Sequence, residues 1–174
     1  MASGTTVPKV RTSDPHGSPR LLVPFSFQPT LLAMQIRPME TNLATEFRRV
    51  QIAEIEHAQL RERARTGGET ECTELFVATK GSVQVGLLSL DFRPLPEPLR
   101  LYEIFVVSEY RGQGIGSFLL EQTELVGRHR GYRSIVLKPH PLDPQQRQES
   151  LVEWYGHHGY SWAASVPDLM SKVL

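Results

Sequence analysis

The chain has 174 residues and a mass of 19.7 kDa, the size of one ordinary domain, so a second full domain is excluded. With 40% hydrophobic and 22% charged residues it carries enough apolar side chain for a packed core, which excludes wholesale disorder. Lys plus Arg (19) equals Asp plus Glu (19), so no global field is available to hold a nucleic acid or an anionic membrane, and neither is expected as a partner.

Residues 1–33 hold Lys9, Arg11 and Arg20 against Asp14, with five prolines and no helical period, and are expected to form a flexible leader. A transit peptide is weighed for this stretch, but a disordered leader, or upstream sequence before a start at Met34, explains it more simply. No apolar run reaches the roughly 18 residues that span a bilayer. The periodic part begins at Met34, and a single domain over 34–174 is expected. Gln35, Ile36 and Met39 read as a short strand that Pro38 helps to end, with Thr41 or Asn42 able to cap a helix. From 43 to 64, Phe47, Val50, Ile52, Ile55 and Leu60 recur loosely at helical spacing, which predicts one or two amphipathic helices stopped by Gly67 and Gly68.

Strands are predicted over 75–79 and 83–92, joined at Lys80, Gly81 and Ser82, and after the loop of Pro94, Pro96 and Pro98 the most apolar strand covers 101–107. A glycine-rich turn leads directly into a helix over 114–128 with Ile115, Phe118, Leu119 and Val126 on its apolar face. A strand at 134–138, a proline-rich loop, a helix around Leu151, Val152, Trp154 and Tyr155, and closing strands at 160–166 and 170–174 complete the order. The class is therefore mixed α/β of the α+β type, with a largely antiparallel first half and one crossover unit. The single cysteine, Cys72, excludes an internal disulfide and fits a reducing compartment; a cytoplasmic location and a semi-buried, unreactive side chain are expected.

The turn reads Arg111-Gly112-Gln113-Gly114-Ile115-Gly116, between a strand and a helix. Absent side chains let backbone N–H groups approach an anion where the helix dipole is positive, so the turn suits a phosphate. A Walker loop needs a Gly-Lys-Ser/Thr that is missing. A dinucleotide fingerprint needs a different glycine spacing and an acid near the end of the next strand, which here ends in Lys138; an oxidoreductase on that plan stays the weaker option, as does a turn that serves packing alone.

The spacing Arg-x-x-Gly-x-Gly after a strand resembles the acyl-coenzyme A pyrophosphate loop of the GNAT family of N-acetyltransferases. The resemblance extends over Glu103 to Gly116 and over Trp154-Tyr155-Gly156-His157-His158-Gly159-Tyr160, similar to the family's Phe-Tyr-x-x-x-Gly-Phe segment, and the strand order fits from Met34 to Leu174. It implies the acyl-CoA N-acyltransferase fold, a mixed, mostly antiparallel sheet flanked by helices. It also implies transfer of the acetyl group of acetyl-CoA, as co-substrate, to a primary amine by direct attack in a ternary complex. An acetyl-CoA-binding module without catalysis is the alternative. Arg111, Gly112, Gln113, Gly114, Ile115, Gly116 and Ser117 would hold the pyrophosphate, and Ile104, Phe105 and Val106 the pantetheine, on strands that splay apart. Tyr155 falls at the position of the family's general acid. One departure stands out: many relatives have an Asn before the helix carrying the tyrosine, whereas Gln148 is nearest that position here.

Glu103 is the only acid inside its apolar strand and is a candidate to take the proton of the amine, the other reading being a solvated or structural carboxylate. The six histidines show no metal-ligand spacing with a third donor, so no metal is expected. Residues 40–74 hold eight Glu and five Arg, net −3, while 128–147 hold four Arg and one Lys against Asp143, net +4. A basic segment near the phosphates and an acidic one near a cationic amine would suit the reaction; both as solvated faces is the equal alternative. The acceptor, a small molecule or a protein amino group, is not coded in the sequence. Dimers are common among relatives, so a homodimer is compatible with the resemblance.

Overall fold

The computed structural model describes residues 44–67, 70–143, 146–164 and 166–174. The expected leader, the strand at 35–39 and the caps at Thr41 and Asn42 lie outside the described residues. Among the described residues seven strands form one sheet in the order β1-β2-β3-β4-β5-β7-β6: β1 Thr45–Val50, β2 Thr73–Lys80, β3 Val83–Asp91, β4 Leu99–Val106, β5 Ser134–Leu137, β6 Ser161–Trp162 and β7 Met170–Val173. Only β4 and β5 run parallel, since the crossover through α2 (Ile115–His129) joins them; every other pair is antiparallel. Helix α1 spans Ala58–Thr66 and α3 spans Gln148–His157.

The helix expected over 43–64 is replaced in its first part by β1. β2 has a run of four buried residues, Leu75 to Ala78, whose side chains alternate between the two faces of the sheet, so its outer edge needs a partner. β1 supplies it, pairing from Thr45 with Lys80 to Val50 with Leu75. Phe47 stacks on Phe76 with centroids 5.0 Å apart, and Arg49 reaches Glu74 at 3.3 Å. Long-range pairing outweighs a loose local period. The helical part is reduced to a 3-10 turn at Ile52–Glu54 and to α1, which buries Leu60 and Ala64, four residues apart, and is capped by Gly67.

The sheet separates two apolar cores. On one face Ile115, Leu119 and Leu120 of α2 and Tyr155 of α3 pack on Leu88, Leu90, Leu99 and Leu101; on the other Leu60 and Ala64 of α1 pack on Leu75, Val77, Leu87, Phe105 and Val107. Cys72, expected to be semi-buried, is exposed in the turn before β2.

Candidate active site

The site begins where two strands part. β4 and β5 pair only from Leu99–Leu101 to Ile135–Leu137, yet β4 continues to Val106, so its remaining edge has no strand beside it among the described residues. A bulge accompanies the parting: Leu101 opposes Leu90 and Glu103 opposes Ser89, leaving Tyr102 as the extra residue. Leu99 and Leu101 face α2, but beyond the bulge it is Phe105 and Val107, with Glu103 in step, that face α1. The extra residue thus turns Glu103 away from the apolar core under α2.

The N–H of Val107 donates to Val85 of β3, and antiparallel alternation then directs the backbone of Phe105 to β3 and that of Ile104 and Val106 to the open edge. Of the three residues expected to meet a pantetheine, Ile104 offers its backbone groups and Val106 its N–H, the Val106 carbonyl being taken by Arg111. Phe105 contributes a buried ring instead, with the guanidinium carbons of Arg63 and Arg111 5.4 and 5.8 Å from its centroid. A cleft of about 1220 Å³ fills the gap, walled by β4, the first turn of α2, the loop around His140 to Asp143, the end of α1 and Tyr155.

The glycine turn closes one end of the cleft. Gly112 and Gly114 have φ of 73° and 81°, the left-handed region where a side chain is strained, and a Cβ on either would meet no atom within 4 Å. The first helical bond of α2 runs from the Phe118 N–H to the Gly114 carbonyl, so the N–H groups from Gly112 to Ser117 have no acceptor among the described residues. Gln113 is engaged elsewhere: its amide donates to the Glu109 carbonyl at 3.2 Å and accepts from Lys80 at 3.1 Å. Arg111 donates from Nε to the Val106 carbonyl at 3.1 Å and from a terminal nitrogen to Asp143 at 2.6 Å, tying the end of β4 to the opposite wall. Ser117 Oγ is bonded to His158 Nε2 at 3.1 Å, and a Cβ on Gly116 would lie 3.6 Å from the Trp154 ring, so α3 rests on the first turn of α2.

Tyr155 is 7% exposed, lines the cleft and packs edge-on to Trp154 and Tyr160. Burial pushes its phenol well above the usual range. Its hydroxyl has no hydrogen bond among the described residues, and unlike that of Tyr160 it is not sealed from solvent. Glu103 is 6% exposed and is not solvated: its Oε1 accepts from Arg63 Nε at 2.8 Å, leaving Oε2 as the unengaged oxygen.

The family description "Acetyltransferase (GNAT) domain" matches residues 71–161. The chain belongs to the GNAT acetyltransferase family. Solved structures share the fold at low identity. A GNAT family acetyltransferase from Elizabethkingia anophelis with acetyl-CoA bound is 16% identical at a TM-score of 0.54, over 78% of this chain and all (100%) of that one. The ribosomal-protein-S18-alanine N-acetyltransferase from Escherichia coli is 14% identical at 0.54, over 75% and 94%, and an IAA acetyltransferase from Bacillus cereus 15% at 0.52, over 75% and 100%. Among curated proteins none matches.

Acetyl-CoA-dependent acetyl transfer is typical of GNAT proteins, and the groups present fit such a molecule. Unsatisfied N–H groups at a helix start suit a pyrophosphate, and an open strand edge suits the amides of a pantetheine arm. The predicted loop residues other than Gln113, together with Ile104, Val106, Glu103 and Tyr155, border one cleft, whereas the side chain of Gln113 is held by Lys80 and Glu109 and is not part of its lining. The charge expectation fails. From 40–74 the charged lining residue is Arg63, and Glu74 instead pairs with Arg130 through two bonds of 2.9 and 2.8 Å, joining the acidic and basic segments to each other. Arg63, Lys80, Asp143 and His158 escaped the sequence reading because their partners are 32 to 41 residues away. No local spacing signals such pairs. Among the described residues no group of three metal-binding side chains occurs, and no helix is long and apolar enough to cross a membrane.

Proposed function

We propose that this GNAT domain transfers the acetyl group of acetyl-CoA to an amine, with the glycine turn, the β4 edge and Tyr155 as its working parts. The observation that carries the reading is the unpaired edge of β4, with an anion-ready helix start at one end and a buried phenol beside it. Bound acetyl-CoA supplies an acetyl thioester whose leaving group is a thiolate. The N–H groups from Gly112 to Ser117 would hold its pyrophosphate, and Ile104 and Val106 would pair with its amides.

An alkyl ammonium with a pKa of about 10.4 is neutral in only roughly one molecule in two thousand at pH 7, so the amine has to lose a proton before it attacks. Glu103, held by Arg63 through one oxygen, offers Oε2 to the ammonium and orients it, passing the proton on to solvent. Tyr155 stays protonated at every working pH because burial disfavours the phenolate. Against a thiol near 8.5, proton donation from an ordinary phenol is uphill by about 2 kcal/mol, and the raised value enlarges this. The same desolvation raises the thiolate too, so the difference between the two groups, which decides the transfer, grows less than the phenol alone suggests.

The test is thermal unfolding with acetyl-CoA against NAD and ATP, followed by thiol release on a broad amine panel. A midpoint shift specific to acetyl-CoA and turnover of some amine are expected. Absence of the shift rejects the coenzyme site; a shift without turnover rejects catalysis.

A further inference from the structure

The cleft holds two cations that nothing in the fold explains. Arg63 is matched by Glu103 and Arg111 by Asp143, but the side chains of Arg100 and of the exposed Lys138, which also line the cleft, have no ion pair or hydrogen bond among the described residues. Arg100 is only partly exposed and sits on β4 in the middle of the sheet, where an unmatched guanidinium is costly. Asp91 stands opposite it on β3, yet Asp91 Oδ1 accepts from the Thr73 hydroxyl at 2.6 Å and no ion pair to Arg100 forms.

Their placement says what they serve. Leu99 and Leu101 face α2, so Arg100 between them faces the α1 side; Ile135 and Leu137 likewise face α2, so Val136, the partner of Arg100, and Lys138 beyond it share that side. Glu103 is on the same face. From Arg100 to Val106 the strand extends about 20 Å, so these cations are at the opposite end of the cleft from the glycine turn and out of reach of a pyrophosphate bound there.

We infer that Arg100 and Lys138 form an anion subsite for the acceptor, whose amine therefore carries an oxyacid group, a carboxylate or a phosphate, a few bonds from its nitrogen. The inference rests on the transferase reading for the amine, but the subsite has a readout of its own. Glu103 Oε2 meets the ammonium while the planar fork of Arg100 takes two oxygens of the anion, with Lys138 as a second point charge. A zwitterionic acceptor is thereby held by both ends across the bulge at Tyr102.

The experiment uses the full chain and matched probes: amino acids with their carboxamides in one arm, phosphoethanolamine with ethanolamine in the other. Binding to the coenzyme-loaded protein is followed by saturation-transfer NMR, and acetyl transfer by thiol release. An anionic probe is expected to exceed its neutral counterpart by about tenfold or more in kcat/KM. Arg100→Gln or Lys138→Gln should bring that ratio toward one while the midpoint shift with acetyl-CoA is kept; the second variant guards against misfolding of the first. The arm that shows the preference identifies carboxylate or phosphate. Equal use of charged and neutral probes, a ratio untouched by either substitution, or loss of the coenzyme shift in the variants overturns the subsite. Arg100-dependent binding without turnover upholds the subsite and overturns the transferase reading.

Discussion

Gly114→Ala separates the stability of the glycine turn from its ligand. Gly114 adopts φ 81° as the residue before α2, and a methyl there strikes nothing within 4 Å, so the folded state suffers only from the backbone conformation. That strain is about 1–2 kcal/mol, offset by about 0.4–1 kcal/mol because alanine restricts the unfolded chain. The net loss of about 1 kcal/mol lowers Tm by about 2–4 °C. The ligand effect is larger, since the methyl occupies the open space in front of the free N–H groups. If two hydrogen bonds to an anion are lost at about 1.5–3 kcal/mol each, the affinity for acetyl-CoA falls by about 10²–10⁴-fold. Thermal unfolding reads both quantities. At about a hundredfold excess over Kd the wild type gains about 2.7 kcal/mol, a rise of about 5–11 °C, whereas the variant at the same concentration gains about 0.4 kcal/mol or less. A variant with a lowered midpoint but an undiminished coenzyme shift would refute the assignment of the turn to the pyrophosphate.

Other outcomes follow from individual contacts. Tyr155→Phe should reduce kcat by about 10²–10⁴-fold with Tm and coenzyme affinity unchanged, because the hydroxyl gives up no hydrogen bond among the described residues; an equal loss of coenzyme binding argues against a role as acid. Arg63→Gln leaves the Glu103 carboxylate buried without its cation and should cost about 1–3 kcal/mol in urea unfolding, with Glu103→Gln in the same chain restoring part of it. Arg130, with Arg49, holds the Glu74 carboxyl below its ordinary range. A depressed carboxylate stabilises above its unfolded pKa of about 4.3 and loses that contribution as the pH falls through the lower folded value. Acid titration of stability should therefore fall less steeply below about pH 4.3 in Arg130→Gln than in the wild type.

The unit from β4 through the turn into α2 was readable because its determinants are local: an apolar run, glycines with obligatory positive φ and a helix with one apolar face. Tyr155 was singled out only through the resemblance of the segment 154–160, since a Trp-Tyr pair by itself reads as core packing, and the structure brings it to the cleft. Thr45 to Val50 misled because their period is weak and the edge of β2, 25 to 35 residues away, decides their conformation. The bulge at Tyr102 is a two-against-one mismatch between strands, and neither strand alone encodes it. Glu103 was noticed, but its direction depends on that bulge and its neutralisation on Arg63, 40 residues away. The net charges of 40–74 and 128–147 summed residues without regard to where they face, and Glu74 and Arg130, one from each segment, pair with each other instead of lining the cleft.

The parting of β4 from β5 also gives the sheet an interior margin in addition to the outer ones at β1 and β6. Exposed strand margins template the pairing of foreign chains, and proteins commonly shorten or charge them; β6, two residues long, is blunted in this way. The interior margin is protected by enclosure, since α3 and the loop at His140 to Asp143 leave a slot rather than an open flank. A slender molecule with spaced amides suits such a slot along Ile104 and Val106. The protein thus keeps unsatisfied backbone permanently available for a ligand without presenting a site for aggregation.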